Sequence, residues 1–306
     1  MDATIACKGL TKHYGSVVAL DGLDLEVPPR VIFGFLGPNG AGKTTTMKIL
    51  AGLLAPTAGV ACVGGIEVSP HDPDSRRRVG YLPEEPSFYG WMTAREYLLF
   101  AAGLLGMAGR EAARRADELL DLVDLRQASG RRIGGFSRGM RQRLGIAQAL
   151  VGRPAVLLLD EPSSALDPLG RRDVLGLIER LAGETTVFMS THILADVERV
   201  CQEVAIVAKG RRVAQAGQNE LRQRYAAPIF EIETAAPAPA LFERLRGEPW
   251  VARVDQQANV LRITARDEQR ARRELPQAIA GLGEQLVRYQ QAQPTLEDVF
   301  VRLVEA

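Results

Sequence analysis

The sequence predicts an α/β domain built around a phosphate-binding loop, followed by a small α+β domain of ferredoxin-like order. Three observations predict it. Gly37-Pro38-Asn39-Gly40-Ala41-Gly42-Lys43-Thr44-Thr45 is a complete G-x-x-x-x-G-K-[ST] loop, set between an apolar strand-like run, Val31 to Leu36, and a helical pattern, Thr44 to Leu54. Two further strand-like runs, Val156 to Leu159 and Thr185 to Ser190, end abruptly in polar groups, Asp160-Glu161 and Thr191-His192, as buried strands do at the ligand-binding edge of an α/β sheet. Beyond Ala227-Pro228 the pattern breaks, and the remainder reads strand, helix, strand, strand, helix, strand.

Length and composition agree with two domains, expected over 1–226 and 227–306, because 306 residues at 46% apolar content can supply two cores. A net charge of +1 leaves no concentrated basic surface for nucleic acid, so nucleic acid is not an expected partner. Cys7, Cys62 and Cys201 lack metal-ligand spacing and are odd in number, which points to a reducing compartment. No charged leader precedes an apolar core, and the longest charge-free apolar stretch, Tyr97 to Gly109, is too short to span a bilayer. Any membrane spans are therefore expected on another chain.

Taken in order, Ala3 to Leu10 and Val17 to Val27 read as strands, the second alternating through Leu23, Leu25 and Val27. Lys12-His13-Tyr14-Gly15 reads as the loop between them. The glycines of the phosphate loop let backbone N–H groups close on phosphate oxygens, and the helix that follows aims its positive end at the same point. Lys43 is placed to reach outer phosphates and Thr44 to meet Mg2+. Short strands follow near Gly59 to Val63 and Val79 to Leu82, then Pro83-Glu84-Glu85-Pro86. The composition next turns helical, with Thr93 as N-cap and Glu96 at the capping-box position of a helix to Gly106, and a second helix over Arg110 to Leu125.

Ser137 reads as the N-cap of a helix to about Val151 whose first turn is rich in arginine, an arrangement that opposes the helix dipole unless an anion docks there. A solvated basic face is the alternative. Asp160 closes its buried strand where Mg2+ would sit, and Glu161, one residue on, suits the activation of water. Ser164-Ala165-Leu166-Asp167 leads into a helix opened by Pro168. His192 follows its strand on the same edge as Asp160 and Glu161, a candidate sensor of a terminal phosphate. Strands at Val204 to Ala208 and Arg211 to Ala216 and a short helix to Tyr225 close the first domain. The second carries no catalytic constellation.

With these motifs in this order the chain resembles the ATP-binding subunits of ABC transporters, and among them the ABC-2 type that serves drug, sodium or antibiotic export. The resemblance is carried by the Walker A loop at Gly37 to Thr45, the signature-like Phe136 to Met140, Walker B at Val156 to Glu161, the D-loop-like Ser164 to Asp167, His192, and the C-terminal Pro294 to Phe300. It implies an ABC ATPase domain with a mixed sheet and a helical subdomain at about 86–152. It further implies ATP and Mg2+ as ligands, adenine stacking on Tyr14, and hydrolysis with Lys43, Glu161 and His192 at the reacting end and Thr44, Asp160 and Glu84 toward the metal. Ser137 and Gly139 would meet the nucleotide of a partner in a head-to-tail dimer, formed with a second copy or a paralogous subunit, and Asp167 would be a further nucleotide-binding residue. A separate transmembrane permease would place the pair on the cytoplasmic face of the membrane, gripped through the helical insertion, where Phe88, Tyr89 and Trp91 are either part of the contact or core.

Two departures stand out. Arg138 and Met140 replace a glycine and the glutamine of the usual Leu-Ser-Gly-Gly-Gln signature, and Glu84, with Glu85 beside it, stands where the Q-loop has Gln. The competing reading is a soluble ABC-type ATPase acting on ribosomes or nucleic acid. Such proteins usually carry two cassettes or a long coiled-coil insertion, and this sequence has neither.

Overall fold

The computed structural model describes residues 4–225, 227–282, 285–293 and 295–305. In chain order these form β1 (Ile5–Tyr14), β2 (Val17–Val27), β3 (Ile32–Leu36), α1 (Lys43–Leu50), β4 (Ala58–Val63), β5 (Ile66–Glu67), α2 (Pro73–Arg77), β6 (Val79–Leu82), α3 (Ala94–Leu104), α4 (Gly109–Leu122), α5 (Arg138–Leu150), β7 (Val156–Asp160), α6 (Pro168–Arg180), β8 (Thr186–Thr191), α7 (Leu194–Val200), β9 (Glu203–Ala208) and β10 (Arg211–Gly217). The remaining elements are α8 (Gln218–Tyr225), β11 (Ile229–Thr234), α9 (Pro239–Arg246), β12 (Val251–Gln257), β13 (Val260–Ala265), α10 (Glu268–Leu282), β14 (Leu286–Ala292) and α11 (Leu296–Glu305). The chain falls into two compact units, 1–218 and 219–306, so that α8 stands at their junction.

The first unit holds two sheets. An antiparallel sheet of order β2-β1-β4-β5 carries the predicted alternation, with Leu23, Leu25 and Val27 buried. The other sheet is mixed, of order β10-β9-β3-β8-β7-β6, with β9, β3, β8, β7 and β6 parallel and β10 antiparallel at one edge. Strands buried on both faces need apolar residues at every position, and β3, β7 and β8 are buried throughout. Phe188 sits at the centre, stacked on Phe33 at 5.5 Å and tilted against Phe35 at 5.2 Å.

Helix ends follow the local chemistry. Thr93 and Glu96 form the expected capping box. Ser137 accepts the N–H of Met140 at 3.2 Å and caps α5. Asp167 caps α6 through Gly170 N–H at 2.9 Å, with Pro168 in the first turn. The helix after the phosphate loop stops at Leu50, short of Leu54, because Gly52 N–H returns to Ile49 O and Leu53 N–H to Lys48 O, both at 2.9 Å, in a Schellman closure. Helix α5 presses onto β6: a Cβ on Gly80 would lie 2.1 Å from Ala149 O.

The second unit has its own core, centred on Phe230, Ile232, Leu241, Leu245, Trp250 and Ile263. Its antiparallel sheet has the order β12-β13-β11-β14, with α9 and α10 as the crossovers. This is the ferredoxin-like arrangement that the element order predicts.

Candidate functional site

Three parallel strands, β3, β7 and β8, deliver the site to one edge of the mixed sheet. After Leu36 the chain turns through Gly37 to Gly42 before α1 begins at Lys43. Gly42 is the residue that makes the turn possible: its φ is 98°, and a Cβ there would lie 2.6 Å from Ala19 O. Its position as N-cap without a side chain leaves the first N–H groups of α1 facing outward as anion donors. A groove of about 510 Å³ forms beside them, lined among others by Asn39, Gly40, Lys43, Thr44, Thr45 and Glu84, with Glu161 and His192 from the two neighbouring strands.

Inside this groove the charges are paired. Lys43, only 6% exposed, donates to Gly37 O at 2.8 Å and lies 3.4 Å from Glu161 Oε1. Glu161 Oε2 meets His192 Nδ1 at 3.0 Å. Glu161 holds a left-handed backbone, φ 48°, and its N–H donates to Ser190 O at 3.1 Å. A non-glycine residue kept in that conformation is strained, and such strain concentrates at functional sites.

Asp160, buried beside it, accepts from Ser190 Oγ at 2.5 Å and from Thr44 Oγ1 at 3.4 Å. Tyr81 on β6 faces the same carboxylate; burial first, then the charge of Asp160, pushes its phenol pKa well above the usual value. Thr44 and Asp160 together offer a hydroxyl and a carboxylate, the hard oxygen donors that suit Mg2+ completed by phosphate and water. No group of three His, Cys, Asp or Glu side chains able to hold a metal alone occurs among the described residues.

The structure thus brings the phosphate loop, Thr44, Glu161, His192 and Glu84 to one groove, with Asp160 buried behind Thr44. Ser137, Gly139 and Asp167 lie elsewhere in the same unit, on a second concavity of about 390 Å³ with Arg138, Met140 and Leu166. Tyr14 corrects the expected loop: β1 runs through it, Tyr14 pairs with Val17, and only Gly15 and Ser16 form the turn. It is 48% exposed, with Lys12 Nζ 5.4 Å from its ring centre. Tyr89 and Trp91 are exposed, whereas Phe88 is half-buried against Tyr97. Sequence reading passed over Ser190 and Tyr81. The first was visible as a polar strand end; the second carries no local signal.

Comparisons with known proteins bear on the same features. Residues 20–164 match the ABC transporter family, and residues 218–304 match the C-terminal domain of DrrA1-3-like ATP-binding proteins. The chain is 38% identical to the uncharacterized ABC transporter ATP-binding protein YxlF of Bacillus subtilis (strain 168), across 99% of this chain and 100% of that one. It is 41% identical to the bacitracin transport ATP-binding protein BcrA of Bacillus licheniformis, over 73% of each chain. The daunorubicin resistance ATP-binding protein DrrA2 of Streptomyces coeruleorubidus is 33% identical over 98% of this chain and 94% of its own. Among solved structures, an ATP-binding subunit of an ABC transporter superposes with a TM-score of 0.65 at 30% identity, covering 72% of this chain and 93% of its own. A dimeric ATP-binding cassette in a post-hydrolysis state with ADP and phosphate superposes at 0.63 and 25% identity, over 70% and 98%.

Proposed function

This chain belongs to the ATP-binding proteins of ABC transporters and is an ATPase, and from that premise we propose that it powers export as a head-to-tail pair of cassettes on a separate membrane permease. The observation that carries the proposal is the division of the first unit into two surfaces. Lys43, Thr44, Glu161 and His192 share one groove, with Asp160 bonded to Thr44 behind it, while Ser137, Gly139 and Asp167 share another. A two-fold pairing, with a second copy or a paralogous subunit, lets the second surface of each chain close on the nucleotide held by the other. The dimeric cassette among the structural relatives supports this pairing. The bacitracin transport and daunorubicin resistance relatives support outward movement. No described helix is long and apolar enough to cross a membrane, which agrees with spans supplied by another chain. The pair is proposed to sit on the cytoplasmic face, with the helices α3 and α4 and the exposed Tyr89 and Trp91 toward the permease.

In the proposed reaction the loop N–H groups and Lys43 hold the phosphates, and Tyr14 offers its exposed ring to the adenine. Thr44 and Asp160, with Glu84, would hold Mg2+, which would supply neutralising charge. Glu161 takes the proton of a water that attacks the terminal phosphorus, the bond to the bridging oxygen breaks, and ADP and inorganic phosphate result. His192, bonded to Glu161, orients that carboxylate and meets the same phosphate.

Glu161→Gln is expected to lower turnover by about 100-fold or more while retaining ATP affinity. With ATP it should elute as a dimer in size-exclusion chromatography and retain a multi-span protein from detergent-solubilised membranes. Undiminished hydrolysis overturns the base assignment. A variant that stays monomeric at saturating ATP overturns the pairing, and recovery with ribosomes or nucleic acid instead of a membrane protein overturns the transport reading.

A further inference from the structure

We propose that Asp196 is a positioning residue for hydrolysis, a buried carboxylate that fastens the loop behind Glu161 to the start of α6 and to the segment behind His192. This rests on the reading of Glu161 as the base. Asp196 is 1% exposed and lies in the first turn of α7, four residues after His192. One of its oxygens accepts the hydroxyl of Ser163, and the other accepts Arg171 Nε–H at 2.6 Å.

Each partner belongs to a different part of the reacting apparatus. Ser163 is two residues past Glu161 and is itself 2% exposed. Between it and Asp167 the chain turns sharply: Ser164 N–H returns to Glu161 O at 3.1 Å, and Ala165 has φ 53°. Two left-handed non-glycine residues, Glu161 and Ala165, thus bracket Ser163, and strained backbone persists only where its surroundings over-determine it. Arg171 stands in the first turns of α6, whose N-cap is Asp167 and where Arg171 N–H returns to Asp167 O at 2.9 Å. Asp196 therefore ties together the loop that aims Glu161, the helix that presents Asp167, and the segment that carries His192. It touches no group of the phosphate groove itself.

A buried carboxylate with one cationic partner and one hydroxyl donor is held in a single geometry, because leaving either oxygen unpaired inside the protein is unfavourable. Misplacing a reacting group by a fraction of its contact distance lowers the rate without lowering ground-state binding. The two roles, structural and positioning, can therefore be separated.

Asp196→Asn in the full chain keeps the size of the side chain and removes its charge. Turnover is expected to fall about 10- to 100-fold, with the Kd of a fluorescent ATP analogue changed by less than about twofold. Hydrogen–deuterium exchange should quicken across residues 161–167 and stay unchanged across 43–50. Arg171→Gln should reproduce the loss, and the double variant should be no worse than either alone, as residues acting as a unit behave. Ser163→Ala removes one hydroxyl only and provides the same exchange reading should Asp196→Asn fail to accumulate. Unchanged turnover in folded Asp196→Asn overturns the proposal. So does a loss of nucleotide affinity and thermal midpoint in step with turnover, the signature of a purely structural carboxylate. The exchange reading needs no hydrolysis: if Glu161→Gln proved fully active, the base assignment would fall, while loosening or its absence at 161–167 would still decide the role of Asp196.

Discussion

Asp160, 1% exposed, accepts hydroxyls from Ser190 and Thr44, and the neighbouring Glu161 is held between Lys43 and His192. The members of this corner that lie in local motifs were legible in the sequence: a lysine in a glycine-rich loop, two carboxylates at the end of an apolar run, a histidine at the end of another. Tyr81, Ser163, Arg171 and Asp196 were not, since they meet across folded space and their spacing in the chain has no period. Two further buried titratable groups are thiols. Burial pushes Cys7 up from its ordinary 9.0 to about 12, and burial raises Cys201 as well. The folded state then keeps protons that the unfolded chain gives up, so the contribution is intact below pH 9.0 and is lost as pH rises through about 12. Urea midpoints are expected to fall as pH rises from about 9 towards about 12, and Cys7→Ala to shrink that fall; an unaltered pH slope in Cys7→Ala would refute it.

Elements were read more surely than their ends. The parallel strands carry unbroken apolar runs, and nothing else in the chain competes with that signal. The helix after the phosphate loop ends four residues early and β1 runs four residues longer than its pattern suggests, because backbone closures decide ends and leave little trace in side-chain type. One packing contact between elements was invisible beforehand: α5, which opens at Ser137, lies so close to β6 that Gly80 has no room for a methyl group. Gly80→Ala should therefore destabilise the first unit by about 1–3 kcal/mol, through a backbone shift of α5. Thr93→Ala, which removes a capping box on a nearby helix, should lose about 1 kcal/mol by fraying alone. Denaturant unfolding checks both, and ATP affinity distinguishes them, since only Gly80→Ala displaces the helix that carries the signature residues.

For the whole molecule the ferredoxin-like order of the second unit was legible from alternating strands and helices. Two cores and separate sheets predict two calorimetric transitions. ATP with Mg2+ at about 100 times Kd should raise only the first unit's transition, by about 2.7 kcal/mol in stability; an equal rise in both would contradict independent folding.

The separation of the Lys43 groove from the Ser137 and Gly139 surface also has a genetic meaning. Lys43→Ala spoils the groove and spares the other surface, while Gly139→Asp does the reverse. In the proposed head-to-tail pair, either variant alone leaves every composite site half-broken. A mixed pair collects both lesions in one site and leaves its twin whole, so two inactive alleles expressed together should complement each other, with activity tracking the fraction of mixed pairs.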